Sequence, residues 1–211
     1  MRASESSVAP LWHEPTQERS RRRVERILDA ARELLCEEDA GQLKMRELAA
    51  RAGVPVGSLY QFFPDREALL ACLLSRHLEG LDGLVQQRFE GVTSREEFME
   101  AADGLLEGMY RALAREPAIA QVSIEVQRSP ALRALDLEST RRNARALARL
   151  LRSLGEAKVP RARLETACFL ICDLWGNAAT RALGLPKREG ERLIREYAAM
   201  TRAYMLSLFD G

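Results

Sequence analysis

The chain has 211 residues, 46% of them hydrophobic, and its 32 Lys plus Arg against 31 Asp plus Glu leave a formal net charge of +1. That composition suits a soluble chain able to bury a substantial core as one large domain or two small ones, and it excludes collagen-like, disordered and disulfide-scaffold classes. The longest near-apolar stretch, Ala167 to Trp175, is interrupted by Asp173 and falls far short of the ~20 residues of a membrane span.

Residues 1–16 carry Ser, Ala and Pro without apolar periodicity and read as a flexible arm, in which Trp12 has no evident role. A first helix is expected from about Gln17 to Glu38, with Val24, Ile27, Leu28, Ala31, Leu34 and Leu35 forming an apolar stripe that ends before Gly41. A short second helix covers about Lys44 to Ala52 and stops at Gly53. Pro55 suits the first turn of a short third helix, which Pro64 ends after Phe63. Asp65 can cap a longer fourth helix carrying Leu69, Leu70, Leu73 and Leu74. Further starts follow at Ser94, with Glu97 three residues on as in a capping box, and at Ser129 before Pro130. The last two helices span about Arg161 to Leu183 and Pro186 to Phe209. No convincing alternating run occurs, so the expected fold is all-α with about nine helices, divided as a 1–16 arm, a 17–64 helix-turn-helix unit and a larger 65–211 helical domain.

The near-zero net charge hides segregation. Residues 1–66 hold eleven basic and eleven acidic side chains, yet Arg19, Arg21, Arg22, Arg23 and Arg26 crowd one segment while Glu37, Glu38 and Asp39 crowd another. An Arg cluster of this kind is either a solvated helix start or a surface for phosphate. The four cysteines are scattered and the N-terminus lacks the order of a signal peptide, so the expected compartment is a reducing cytoplasm.

The informative piece is the short helix, glycine turn and short helix of Lys44 to Phe63. Leu48, Ala49 and Ala52 can meet Val54, Leu59 and Phe63 over the stripe of the long helix, which fixes the two short helices at a steep angle. Val56, Gly57, Ser58, Tyr60 and Gln61 are left at outward or rim positions, on a helix of a size that suits the major groove. Gly57 implies a close neighbour, either a nucleic acid or a side chain of the same chain. Tyr60 combines a ring that can pack on the turn with a hydroxyl that can donate to phosphate.

The run AGVPVGSLYQFFPDREALL, Ala52 to Leu70, preceded by MRELAA and RILDAARELL, resembles the DNA-binding domain of the TetR family of transcriptional regulators over about Arg19 to Leu74. The resemblance implies a homodimer bound to double-stranded operator DNA, with variable C-terminal helices that take a small-molecule effector. Carried over by position, Arg46 looks like a base or phosphate contact, and Pro55, Val56, Gly57, Ser58 and Gln61 look like the groove-facing set. Tyr60 would hold phosphate, Arg66 resembles the usual Lys that reaches the backbone, and Arg21, Arg22 and Arg23 would enter the minor groove. Two positions depart from the pattern. Leu43 and Lys44 stand where Ser or Thr is common, which puts a cation near a positive helix end and favours a DNA contact for Lys44. Phe62 replaces a frequent His or Tyr, removing one polar phosphate contact.

The remaining two thirds are similar to the family only in length and helical pattern. In the penultimate helix Leu164, Ala167, Cys168, Ile171, Leu174, Trp175, Ala178 and Ala182 share one broad arc, and Leu193, Ile194, Tyr197, Met200, Tyr204, Met205 and Leu208 do so in the last. Arcs this broad suit both a core and a partner, so Leu164, Ile171, Ala178, Ala182, Leu193, Tyr197, Met200 and Tyr204 are the expected dimer interface. Phe98, Met109, Tyr110, Leu113, Ile124, Phe169 and Trp175 would line an effector cavity or, equally, fill a core. Cys168 and Cys172, four apart, suit a soft metal or oxidation less well than an inert core, for want of a third ligand nearby, so neither metal nor cofactor is expected. An enzyme is disfavoured: there is no glycine-rich phosphate loop, nucleophile elbow or metal-binding His pair, and the histidines are His13 and His77. The expected function is a dimeric repressor released when an effector moves the fourth helix; the alternative is an effector-independent or architectural DNA-binding protein.

Overall fold

The computed structural model describes residues 11–37, 39–155 and 158–210. These form ten α-helices, one 3-10 turn and no strand, in line with the all-α expectation. Residues 1–10 of the arm lie outside the described residues. Two compact units emerge: one of residues up to His77 together with Pro117–Asp136, the other of Leu78–Glu116 with Leu137–Gly211.

In the first unit, α1 (Glu18–Glu37) buries Val24, Ile27, Leu28, Ala30, Ala31, Leu34 and Leu35, the whole predicted stripe and Ala30 besides. Each large aliphatic so buried contributes roughly 1.5–3 kcal/mol. A 3-10 turn, Ala40–Gln42, leads into α2 (Met45–Arg51), and α3 (Val56–Phe62) follows. Between them Gly53 adopts φ 62°, a left-handed conformation open to glycine and strained for a β-branched residue. Leu48, Ala49, Val54, Leu59 and Phe63 are buried as the sequence implies. Pro55 stands one residue earlier than expected, at the N-cap of α3 rather than inside its first turn, where its carbonyl accepts from Ser58 N–H at 2.9 Å and Leu59 N–H at 3.2 Å. The fourth helix, α4 (Arg66–Arg88), starts under the expected cap: Asp65 Oδ1 accepts from Ala68 N–H at 2.8 Å. Arg51 pairs with Glu37 at 3.0 Å and Arg76 with Glu25 at 2.8 Å, tying α2 and α4 to α1.

The chain returns to this unit as α7 (Pro117–Val126), which packs along α1 and against the 3-10 turn. Ser129 then opens α8 (Pro130–Ser153); its Oγ accepts from Leu132 N–H at 3.0 Å and donates to Glu67 Oε1 at 2.5 Å. This long-range pairing has no signature in local sequence.

The second unit holds α5 (Arg95–Ala102), α6 (Leu105–Ala114), α9 (Arg161–Leu183) and α10 (Lys187–Asp210). Ser94 Oγ accepts from Glu97 N–H at 3.1 Å, while Glu97 reaches back to Thr93 N–H at 2.8 Å, so the predicted capping box forms one residue out of register at its second bond. α9 packs on both α10 and α6. Phe98 stacks on Phe89 with centroids 5.4 Å apart and meets Phe209 edge-on at 6.0 Å, which anchors the core at one place.

The α9–α10 hairpin closes through a backbone contact that only glycine allows. A Cβ on Gly190 would lie 2.5 Å from the Ala182 carbonyl oxygen and 3.1 Å from the Tyr110 hydroxyl. Backbone cannot swing aside as a side-chain tip can. Gly190→Ala is therefore expected to destabilise the protein by about 1–3 kcal/mol in urea unfolding, against a helix-propensity gain of at most ~1 kcal/mol; a midpoint equal to or above that of the parent would refute the close approach.

Candidate nucleic-acid interface

The short helix α3 divides its side chains cleanly. Leu59 and the following Phe63 are fully buried, while Val56, Gly57, Tyr60 and Gln61 are exposed and Ser58 is half-buried at the rim. Tyr60, an aromatic, is 44% exposed, more than its own packing requires. Of the two neighbours for Gly57, the intramolecular one finds no support among the described residues: a Cβ built there meets none of them within 4 Å. Glycine at the second residue of a helix thus keeps an outer surface low without accommodating any described residue of its own chain.

Arg46 and Lys44 are exposed at the start of α2, with Lys44 at its N-cap and no side-chain cap present. Glu47, exposed in the same first turn, offsets the unfavourable placement of the Lys44 cation against the helix dipole. Arg66 is half-buried and its guanidinium donates to the Gly41 carbonyl, so it fastens α4 to the 3-10 turn within the same unit. Arg21 and Arg22 are exposed and Arg23 half-buried. Arg22 pairs with Glu18 at 3.0 Å, and Arg21 Nε reaches the Pro15 carbonyl at 3.5 Å. Arg19, Arg22, Arg23 and Arg26 line one hollow of α1 together with Glu18. Their three- and four-residue spacing is the signal that gathers Arg19 and Arg26, but not Arg21, with the others. Further up the arm, His13 N–H donates to the Phe62 carbonyl at 3.0 Å, at the end of α3.

The effector and interface sets fare differently. Phe98, Leu113 and Trp175 are buried, and Met109, Tyr110 and Phe169 half-buried, whereas Ile124 is exposed and lies in the other compact unit. Met109 borders a pocket of about 510 Å³ with Leu81, Leu84 and Val85, and Trp175 borders another of about 300 Å³. Leu164, Ile171, Ala178 and Ala182, expected at a subunit interface, are instead consumed by the protomer's own core, because α6 and α10 both pack on α9 and its broad apolar arc is needed for them. Leu193 and Tyr197 are half-buried against that core. Met200 and Tyr204 are exposed, and so is Leu170 on α9.

The cysteine pair is inert by environment. Burial pushes both the Cys168 and Cys172 thiols up to about 12, so neither offers a thiolate near neutral pH. No group of three or more metal-ligating side chains occurs among the described residues. Among the same residues no helix is long and apolar enough to cross a membrane.

A three-helix head with an exposed seven-residue helix, followed by a second helical unit, defines the architecture of a helix-turn-helix regulator. Residues 27–73 match the family model for bacterial regulatory proteins of the tetR family, and residues 96–209 match the tetracyclin repressor-like C-terminal domain. The second match alone spans more than half of the chain, which therefore belongs to the TetR family of transcriptional regulators. The HTH-type transcriptional repressor KstR of Rhodococcus jostii is 33% identical over 99 residues, covering 47% of this chain and 44% of that protein. Its namesake from Mycolicibacterium smegmatis is 40% identical over 65 residues, or 31% of this chain and 32% of that one. The chain thus spans less than half the length of either repressor. A TetR-family transcriptional regulator from Pectobacterium atrosepticum shares the fold, with TM-score 0.68 at 20% identity over 92% of this chain and 98% of that chain.

Proposed function

We propose that the protein is a homodimeric repressor that binds a near-palindromic operator and is released by a small hydrophobic effector, without enzymatic activity or cofactor, in the cytoplasm. The observation that carries the reading is the outer face of α3, where Val56, Gly57, Tyr60 and Gln61 are exposed over a fully packed Leu59 and Phe63. Pro55, Ser58, Lys44 and Arg46 extend that face, and Arg21 to Arg23 supply charge for the flanking backbone. Arg66 acts at one remove, by holding the turn before α2. One helix of this length reads too few base pairs for specificity; two, about 34–36 Å apart, reach successive major grooves. Met200, Tyr204 and Leu170 are large apolar side chains left exposed on α9 and α10 for a second copy to cover. The matched relatives are named as repressors, which supports repression over activation. Release follows if the effector prefers a head separation that does not fit the operator.

A gel shift on DNA flanking the protein's own coding region tests this. Binding is expected to be site-selective and to weaken by about three orders of magnitude between roughly 50 and 200 mM salt, as several phosphate contacts are lost. Equal affinity for random DNA would overturn the operator reading in favour of an architectural one.

A further inference from the structure

The break between α5 and α6 opens a pocket of about 300 Å³ that shares only Trp175 with the set expected from sequence. Asp103 ends α5, and Gly104, at φ 74°, turns the chain into α6. The far wall comes from Trp175 on α9 and from Ala198, Thr201 and Met205 on α10. Trp175 is oriented from behind: its indole N–H donates to Thr201 Oγ1 at 3.2 Å, and that hydroxyl donates to the Tyr197 carbonyl at 2.8 Å. With its only donor engaged, the indole offers a guest its ring.

Three charged side chains line the same pocket: Asp103, Glu107 and Arg202. Arg202 Nε meets Asp103 Oδ1 at 3.0 Å, so those two cancel. Glu107 is half-buried and makes no hydrogen bond or ion pair among the described residues. Beside the pocket the Arg88 guanidinium donates to the Ala101 and Asp103 carbonyls, so within the lining itself Glu107 is the one carboxylate without an ion partner among the described residues, and it borders an aromatic ring and small apolar walls. A partly desolvated anion gains from a counter-ion, and a ring face attracts a cation over a neutral or anionic group. The volume is at the small end of ligand sites, about 300–1,000 Å³, and limits the guest to a compact one. We infer that this pocket binds a small lipophilic organic cation, with an ammonium group between Glu107 and the Trp175 ring and its apolar body against Ala102, Ala198 and Met205. Its regulatory meaning rests on the effector-responsive reading above; the binding itself does not.

Trp12 and Trp175 are the two tryptophans, so Trp12→Phe makes emission from the full-length protein a reporter of this pocket. That variant is titrated with benzyltrimethylammonium, benzyl alcohol and phenylacetate at constant ionic strength. Saturable change with the cation is expected, at a concentration about tenfold or more below that for the other two. Glu107→Gln in the same background should weaken cation binding about tenfold and erase the preference, with the circular-dichroism spectrum and thermal midpoint confirming that it folds. No saturable response, equal binding of all three compounds, or an unchanged cation affinity in the folded Glu107→Gln variant would overturn the site. Adding the cation to the gel shift separates the two readings. Release of DNA supports both; saturable binding with unaltered DNA affinity leaves the cation site standing and overturns its effector role.

Discussion

Gly57→Ala is expected to move stability and DNA affinity in opposite directions. The added Cβ meets none of the described residues within 4 Å, and alanine is the better helix former, so the thermal midpoint should rise, by an equivalent of up to ~1 kcal/mol. The same methyl group stands on the face that the proposed complex presses against duplex DNA, and a helix lifted away loses its contacts to base edges. Two lost contacts of about 1–3 kcal/mol each correspond to binding weakened by roughly 30-fold at the least, and Gly57→Leu should abolish it. Melting curves and gel shifts on the same preparations check both signs. A stabilised variant with undiminished site affinity would remove α3 from the groove.

The second large effect concerns the support beneath that face. Phe63 is completely buried at the end of α3, and its backbone N–H donates to the Leu59 carbonyl at 2.9 Å. Phe63→Ala removes most of a ring from a packed site and is expected to cost about 3–5 kcal/mol, a large share of the roughly 5–15 kcal/mol that holds a typical domain folded. Urea unfolding followed by far-ultraviolet circular dichroism measures the loss. Tyr60→Ala, three residues away but exposed, should stay within about 0.5 kcal/mol of the parent in the same experiment while still weakening DNA binding. Similar unfolding midpoints for the two variants would contradict the division of α3 into a packed and a presented side.

The reading head was legible because its determinants are local. Gly53, Pro55, Pro64 and Asp65 punctuate the chain within a few residues of the ends they create, and the stripe of α1 repeats at helical spacing without interruption. The capped starts at Ser94 and Ser129 were legible for the same reason. The break at Asp103 and Gly104 and the short link before Pro117 were missed, since no capping side chain marks the start of α6. Burial on α9 was correctly assigned, but its destination was not: an arc broad enough for two neighbours does not state whether both belong to the same protomer. Likewise, Ile124 has the spacing of a core residue, yet α7 turns it to solvent while Val122, Glu125 and Val126 face inward. Tertiary context decides such cases, and a single sequence does not carry it.

The hydrogen bond from Ser129 to Glu67 and the packing of α7 along α1 make the unit that carries α3 discontinuous in the chain. A fragment cut after His77 would keep every residue of the exposed α3 face and still lose the cover over part of α1, together with the brace on the first turn of α4. Grafting this head onto another sensor domain thus requires carrying residues 117–136 along, and a chimera joined at the obvious loop would inherit recognition chemistry on a sticky, under-supported scaffold.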